Sequence, residues 1–301
     1  MKVQLSHKEK IIFDTDIGSD IDDSFALGYL LNKSDVDLIG VTCVSGQSYE
    51  RALLSKIMIE LASQNVPVYY GNDKPLGEQE ELQPVCHMAN LLDKYEVKGS
   101  IEKENASDFL VRIVNEYPCE ITLVSVAPFT NVAKALLTDK DFGKKLKRLV
   151  IMGGKVDQSK TLKKVLDWNI LCDVKAGDIM LSSEFRELVI FPCDLTNTVF
   201  TPSSYLKENV SGVYEEVLND MGNNWFERDH IVFHYHDPMA AVYCVKPELF
   251  KLTEGTMSII NDENGSYTVF DESGHKHHLA IGIDREAFLS ELYNTISNKE
   301  N

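Results

Sequence analysis

Apolar, β-branched segments alternate with amphipathic segments along most of the chain. The first series is KIIFDTD, a predicted helix near 22–32, LIGVTCVS, a predicted helix near 49–64, and PVYYG. The alternation returns in EITLVSV, RLVIMGG and LVIFPCD, with helices predicted from Thr130 and after Asp173 between these strands. Strands that alternate with helices form parallel βαβ units. We therefore predict an α/β fold with an open, mainly parallel sheet, flanking helices and a Rossmann-like core.

The last third of the chain has a different pattern. Helical stretches dominate from about 202 to 245, MSIINDENGSYTVF predicts a β-hairpin, and IDREAFLSELYNTI predicts a closing helix. We find no repeat or linker and expect residues 1–301 to form a single domain. Two polar connections, 72–86 and 154–168, follow predicted strands. Ligands bind beyond the carboxyl ends of such strands, so we expect these connections to line a site.

Composition and charge narrow the classes of function. The 301 residues include 44% hydrophobic residues, enough for a large core, and 47 acidic against 30 basic residues give a net charge of -17. This charge repels phosphate backbones, so nucleic acid is not the expected partner. No stretch has the roughly 18 apolar residues that a membrane span requires, and the first residues do not resemble a signal peptide. We expect a cytoplasmic protein whose six cysteines are reduced.

An unusual density of carboxylates follows the first predicted strand. The segment DTDIGSDIDD carries five of them within ten residues, at a predicted turn from strand to helix. Such crowding is costly without a cation, and hard oxygen ligands suit calcium or magnesium better than zinc. An EF-hand is a poor fit, since the twelfth residue from Asp14 is Phe25 rather than a glutamate. We interpret the segment as part of a metal or catalytic site.

A simpler interpretation is a solvated acidic loop that also caps the next helix. It accounts for one or two aspartates but not for five directly after a buried strand. A further acidic residue occurs in His236-Asp237-Pro238, before the helical segment MAAVYCV. Asp237 could complete a metal site, or it could cap that helix ahead of a proline at its first position. The pattern alone leaves both possibilities open.

Five segments together resemble the inosine-uridine nucleoside hydrolase family. They occur in the order typical of the family over residues 11 to about 245: IIFDTDIGSDIDDSFAL, VSVAPFTNVA, VIMGG, LDWNILCD and HDPMAA. The resemblance implies an open α/β fold, one bound Ca²⁺, a homodimer or homotetramer, and hydrolysis of ribonucleosides to ribose and free base. It also implies a role in nucleoside metabolism and in purine or pyrimidine salvage.

The resemblance further implies a set of metal ligands. These are the carboxylates of Asp16, Asp23 and Asp237 and the backbone carbonyl of Val126. The nucleophile would be a calcium-bound water, and Asp16 would be the base that takes its proton. These roles agree with the chemistry, because a glycosidic bond breaks through an oxocarbenium-like state that needs nearby negative charge and an oriented water.

Ribose contacts are implied in the same way, with some departures from the family pattern. Asp20 could replace Asp22 in one contact, because the loop after Gly18 has two additional residues. Gln47 occupies a position that is commonly asparagine, and Asp167, the implied ligand of the 5′-hydroxyl, replaces a common glutamate. The implied substrate-binding residues are Asp22, Gln47, Met152, Asp167, Asn169 and Asp237.

The group that protonates the leaving base is the least defined. His236 lies next to an implied ligand and is predicted to be this acid, with packing under the following helix as the alternative. His87 could contact the base or pack on a helix. Trp168 replaces a common phenylalanine and is predicted to be part of the sugar-pocket wall and the core rather than a platform for the base.

Two other classes of function share some of these features. A haloacid dehalogenase-type phosphatase also begins with a strand that runs into Asp-x-Asp, but that hypothesis leaves VIMGG, LDWN and HDP unexplained. A protein that binds nucleosides without turnover is the other alternative, since Gln47 and Asp167 depart from the pattern. The preferred base is not predicted, because base contacts would come from segments such as 72–95 and 222–236.

Overall fold

A computed structural model describes residues 8–77, 84–159, 164–263 and 265–298. Within these residues, nine strands form one sheet and two form a separate ribbon. The strands are β1 (Glu9–Thr15), β2 (Val36–Cys43), β3 (Val68–Tyr70), β4 (Ile121–Ser125), β5 (Arg148–Met152), β6 (Leu188–Phe191), β7 (Phe200–Pro202), β8 (Val232–His234), β9 (Phe250–Asp262), β10 (Gly265–Asp271) and β11 (His277–Ile283).

Helices cover both faces of the sheet. The α-helices are α1 (Asp22–Asn32), α2 (Ser48–Leu61), α3 (Ala106–Glu116), α4 (Thr130–Thr138), α5 (Phe142–Lys145), α6 (Trp168–Cys172), α7 (Val174–Ser182), α8 (Cys193–Thr196), α9 (Ser203–Asn209), α10 (Glu215–Phe226), α11 (His236–Tyr243) and α12 (Arg285–Ile296). Short 3₁₀-helices span His87–Asp93, Gly212–Tyr214 and Pro247–Leu249. None of the described helices is long and apolar enough to cross a membrane.

The sheet order is β10-β9-β11-β6-β5-β4-β1-β2-β3. Neighbours from β11 to β3 run parallel, while β9 pairs antiparallel with both β10 and β11. The predicted α/β class with an open, mainly parallel sheet is therefore confirmed. Strands β7 and β8 form an antiparallel pair apart from this sheet.

The core has two layers because side chains of a strand point alternately to its two faces. On β1, Ile11 and Phe13 join one buried cluster and Ile12 joins the other. The first cluster includes residues of α1, α2, α11 and α12, and the second includes residues of α3, α4 and α7. A strand covered on both faces has a continuous apolar sequence, which explains the IIF segment of β1.

Most predicted elements are present with small shifts in their bounds. The helices predicted near 22–32 and 49–64 are α1 and α2, and the predicted hairpin is the β9–β10 pair. The region 202–245 is mainly helical but contains β8. Elements that were not predicted include α3, β7, β8 and β11. All six cysteines are free, as predicted, although Cys119 is exposed rather than buried in the core.

Candidate active site

A cavity of about 510 Å³ lies where the carboxyl ends of β1, β4 and β5 meet the N-termini of α1 and α11. Of the two connections predicted to line a site, 72–86 contributes Pro84 and Val85, and 154–168 contributes Trp168. The cavity is lined by Asp16, Ser19, Asp20, Asp22, Asp23, Pro84, Val85, His87, Val126, Met152, Trp168, Asn169, Cys193, Trp225, Arg228, His230, His236 and Asp237. Residues 78–83 of one predicted wall and 160–163 of the other lie outside the described residues.

Three buried carboxylates form the acidic centre of this cavity. Asp22 and Asp23 begin α1, and Asp237 lies in the first turn of α11, which packs against α1. One oxygen of each carboxylate lies within 4.8 Å of the others. The backbone N–H of Asp237 donates to Asp22 Oδ2 at 3.2 Å. The packing of two helix N-termini therefore brings together acids that are more than 200 positions apart in the sequence.

The electrostatics of this triad favour a cation. Burial raises the pKa of Asp22, Asp23 and Asp237 well above the usual range, and the neighbouring carboxylates raise it further. The donor set is all oxygen, which suits a hard divalent metal. Together, these groups can hold a metal ion that would relieve their mutual repulsion.

Asp16 lies on the cavity wall beside the triad rather than within it. Its carboxylate is nevertheless close enough to Asp23 to raise the pKa of that residue. The Thr15 hydroxyl donates to Asp23 Oδ1 and accepts from the Ile17 N–H at 3.1 Å. The three carboxylates within 4.8 Å of one another are thus those of Asp22, Asp23 and Asp237, whereas the resemblance implies Asp16 rather than Asp22. The role of Asp16 as a metal ligand stays a prediction.

Asp14 is fully buried below the cavity and does not line it. Strand register places it opposite Thr42 of β2 and Ser125 of β4, and their hydroxyls donate to its two oxygens at 2.7 and 2.8 Å. Asn131 Nδ2 donates to it at 2.9 Å. Burial nevertheless raises the pKa of Asp14 to about 6. This carboxylate connects three segments under the site.

Two of the predicted sugar-pocket residues, Met152 and Asn169, line the cavity. Asn169 Nδ2 donates to the carbonyls of Val126 and Met152 at 2.8 and 3.1 Å. Because two carbonyls require an amino group as their partner, its Oδ1 is left for another donor. Asp167 does not line the cavity, and its Oδ1 caps α6 by accepting from the N–H groups of Asn169 and Ile170. Burial raises the pKa of Asp167 to about 6, although the backbone N–H groups of Gly154, Ile170 and Asn169 oppose this rise.

Gln47 differs from the other predicted ribose ligands. It precedes α2 in the left-handed conformation, with φ of 61°, and its Oε1 accepts from the Cys86 N–H at 3.1 Å. Its side chain is exposed and does not line the cavity. In the structure Gln47 therefore holds the segment that follows residue 83, and its role as a ribose ligand stays a prediction.

His236 lines the cavity at the first residue of α11. Its Nδ1 shares a hydrogen bond of 2.7 Å with the Thr196 hydroxyl, and its ring stacks on His234 at 5.4 Å between centroids. Burial, with a smaller contribution from His234, lowers the pKa of His236 to about 3. The imidazole is therefore neutral at pH 7, a state that donates a hydrogen bond more readily than a proton.

Aromatic and basic side chains form the outer part of the cavity. The rings of Trp225 and His230 stack in parallel with centroids 3.5 Å apart, and the Arg228 guanidinium lies 5.1 Å from the Trp225 ring centre. His87 is exposed and also lines the cavity. The alternative in which His87 packs on a helix does not agree with this exposure. Trp168 is 49% exposed, so it belongs to the cavity wall rather than to the core.

Three residues of this region were not singled out from the sequence. Thr15 holds Asp23, Arg228 donates to the Ser19 carbonyl at 2.7 Å, and Arg51 is fully buried under the acidic loop. A threonine between two aspartates of a DxD motif is a usable signal for Thr15. Arg51 on α2 and Arg228 in the turn after α10 carry no such signal, because isolated arginines on helices and in turns are most often solvated.

Comparisons with known proteins agree with this geometry. A family model described as inosine-uridine preferring nucleoside hydrolase matches residues 11–290. The chain is 29% identical over 269 residues to Uridine nucleosidase 1 of Arabidopsis thaliana, covering 85% of this chain and 79% of that protein.

Further similarities are to a bacterial relative and to a solved structure. The chain is 29% identical over 282 residues to the pyrimidine-specific ribonucleoside hydrolase RihB of Escherichia coli O17:K52:H18, covering 89% of this chain and 88% of that protein. The structure of the plant nucleoside hydrolase PpNRh1 superimposes with a TM-score of 0.84 at 24% identity, over 96% of this chain and 99% of that one. The structural match supports the fold, and the sequence matches extend over nearly the whole chain.

Proposed function

Because the chain belongs to the inosine-uridine preferring nucleoside hydrolase family and is a nucleoside hydrolase, we propose that it cleaves ribonucleosides to ribose and free base at the acidic cavity. The acidic residues would hold Ca²⁺, which would supply an activated water as the nucleophile, and Asp16 is the proposed base. The observation that carries this proposal is the buried triad of Asp22, Asp23 and Asp237, whose oxygens converge within 4.8 Å on a cavity of about 510 Å³.

The donor set supports calcium as the metal. The triad, Asp16 and the Val126 carbonyl offer only oxygen atoms, and calcium accepts six to eight such ligands in flexible geometry. When bound, Ca²⁺ would hold the attacking water together with the ribose diol. We assign no imidazole ligand to the metal, because His236 Nδ1 is hydrogen-bonded to Thr196. An imidazole ligand would favour zinc.

The protein side chains would then divide the remaining tasks. Asp16 lies beside the triad on the cavity wall, where it can accept the proton of the water. Asp22 and Asp237 bind the ribose hydroxyls. Asn169 Oδ1 accepts from the 2′-hydroxyl side, because its amino group is already committed to Val126 and Met152.

The far side of the ribose would meet the α6 end of the cavity. Asp167 directly precedes Trp168 and Asn169, which line the cavity, and it remains the proposed acceptor for the 5′-hydroxyl. Trp168 and Met152 provide the apolar wall for the sugar ring. The negative charge that surrounds the ribose favours an oxocarbenium-like state at its anomeric carbon.

The outer part of the cavity is where we place the base. Trp225 and His230 offer flat aromatic surfaces, and Arg228 and His87 offer hydrogen-bond donors. Two relatives are named for uridine or pyrimidine substrates, so uridine is the first substrate that we propose to test. The phosphatase alternative is not favoured by the family match.

Base release in the presence of calcium tests the proposal directly. Uridine, cytidine, inosine and adenosine are each incubated with the protein, and ribose and free base are quantified. We expect release from at least one of them, abolished by chelation of calcium and restored by its return. Nucleoside binding without release of any base would support the non-catalytic alternative and overturn the proposed activity.

A further inference from the structure

Arg51 is fully buried, and its guanidinium donates to oxygens of three chain segments that border the acidic cavity. Its Nε donates to the carbonyls of Ser45 and Gly46 at 2.6 and 2.8 Å. Its Nη2 lies 3.5 Å from the carbonyl of Pro84, at the start of the wall that carries His87. The side chain starts on α2 and reaches these partners under the site.

The third segment is the acidic loop itself. Arg51 Nη1 donates to the carbonyl of Asp16, to the carbonyl of Ile17 at 3.1 Å and to Ser19 Oγ at 2.9 Å. These three residues follow β1 directly and precede the pair of aspartates that begins α1. The guanidinium therefore fixes the backbone between the proposed base and the proposed metal ligands.

The segment between β2 and α2 shows why such anchoring is needed. Ser45, Gly46 and Gln47 have φ of 70°, 23° and 61°, three consecutive residues in the left-handed region. Residues with a Cβ disfavour this conformation, so the turn requires compensating contacts. The two carbonyls that this turn presents are the acceptors of Arg51 Nε.

The guanidinium also places a positive charge next to the acidic loop. Its hydrogen bonds go to carbonyls and a hydroxyl, which leaves the carboxylates free to face the cavity.

We propose that Arg51 is a positioning residue of the metal site, whose planar guanidinium holds the acidic loop, the left-handed turn and the Pro84 segment in one arrangement. This inference rests on the proposed function, since the arrangement matters because the site holds Ca²⁺. Lysine cannot replace arginine here, because an ammonium group lacks the planar set of five N–H donors. Both the geometry and the charge thus come from one side chain.

Arg51→Lys tests the proposal because it keeps the charge and removes the geometry. We expect a calcium dissociation constant at least about tenfold higher, measured by isothermal titration of Ca²⁺ into metal-free protein, as for other residues that orient metal ligands. Excess calcium should restore turnover in this variant. A purely structural role would lower thermal stability and leave calcium affinity unchanged.

Arg148→Lys is the matched control. Arg148 also donates to a backbone carbonyl, that of Cys244, but it is the first residue of β5 and so lies at the amino end of that strand, away from the site. Its calcium affinity should stay within about twofold of wild type, since distant sites act independently. If Arg51→Lys does not fold by circular dichroism, Ser19→Ala removes one acceptor of the guanidinium and should still weaken calcium binding measurably.

Each outcome is informative for one of the two claims. Wild-type calcium affinity in Arg51→Lys, or in Ser19→Ala where the first variant does not fold, would overturn the role of Arg51 and leave the proposed function intact. A wild-type protein that binds no calcium would overturn the proposed metal site itself. Weakened binding in Arg51→Lys with normal binding in Arg148→Lys is the result expected.

Discussion

Strand β1 carries a carboxylate near each end, and the two have opposite surroundings. Glu9, its first residue, accepts hydrogen bonds from Lys147, Thr122 and Arg148. Burial alone would raise the pKa of Glu9, but these partners lower it below the usual value. Asp14, near the other end, has three neutral donors and a pKa raised to about 6 by burial.

The contrast extends beyond this strand. At the amino ends of the parallel strands, carboxylates have cations of the protein as partners, as in the Lys10–Glu120 pair at 2.7 Å. At the carboxyl ends, Asp22, Asp23 and Asp237 lie together with raised pKa values. The acids at the amino ends are thus neutralised by cations of the protein. The acids at the carboxyl ends would be neutralised by a cation bound at the expected functional site.

The largest expected effect is at the carboxyl ends. Asp23→Asn should lower turnover of uridine at least about a hundredfold, because it removes a charged ligand from the site that activates the nucleophile. Asp16→Asn should do the same. Steady-state rates with calcium present measure this, and Asp178→Asn on the exposed face of α7 is the matched control. Full activity in protein shown to be free of metal would contradict the proposed site.

Recognition of the ribose diol should give an effect of similar size. A 2′-deoxynucleoside leaves buried polar groups of Asp22, Asp237 and Asn169 without a partner, so it should react at least about a hundredfold more slowly. Rates of base release from inosine and deoxyinosine are compared at equal concentration. Similar rates on both would count against the proposed contacts to the sugar.

Removal of calcium should also change stability. A ligand at about 100 times its dissociation constant stabilises the folded state by about 2.7 kcal/mol, so chelation should lower the free energy of unfolding by that order. The physical reason is the repulsion within the triad, which the metal relieves. Urea denaturation with and without calcium measures the difference, and Asp23→Asn should show much less of it. Equal stability with and without calcium would argue that no metal binds.

His236 should have a smaller and substrate-dependent effect. His236→Ala should slow hydrolysis of inosine by at least about tenfold, since a purine leaves poorly without a hydrogen bond or proton from the enzyme. It should spare p-nitrophenyl riboside, whose leaving group needs no proton. The low pKa of about 3 weakens the case for full proton transfer. Equal loss on both substrates would mean that the change disturbs Asp237, and the role as an acid would be withdrawn.

The acidic loop could be predicted because its signals are local. A buried strand that ends in DTD, a glycine turn and a pair of aspartates at a helix start lie within one short segment, and α1 begins at Asp22 as expected. The sequence pattern at Asp237 also fits an aspartate that caps a helix before proline. Only the resemblance to the family implied a role for Asp237 as a metal ligand. The structure adds that the two helix N-termini pack together.

Other features depend on contacts that no local pattern encodes. The sequence around Arg51 does not distinguish it from an exposed helical arginine. Only the tertiary structure places the Arg51 side chain beneath the site. Gln47 occupies the position of a family ribose ligand, but the left-handed turn directs its amide to Cys86. Strand β11 was missed because it begins among histidines and takes its place in the sheet by pairing with β9 and with the distant β6.

The smallest expected effect is at the amino end of β1. Glu9→Gln keeps the shape of the side chain and removes its charge, so it should lower the free energy of unfolding by about 0.5–1 kcal/mol near pH 7 and leave turnover unchanged. The folded-state pKa of Glu9 lies below its usual 4.5, so the charge contributes stability above that pH and loses it as the pH falls through the lower folded-state value. Urea denaturation of both proteins should therefore give free energies of unfolding that converge as the pH falls below 4.5 and through the lower folded-state pKa of Glu9. A difference that stays constant with pH would mean that packing of the side chain, rather than its pairing with Lys147 and Arg148, stabilises this end of the sheet.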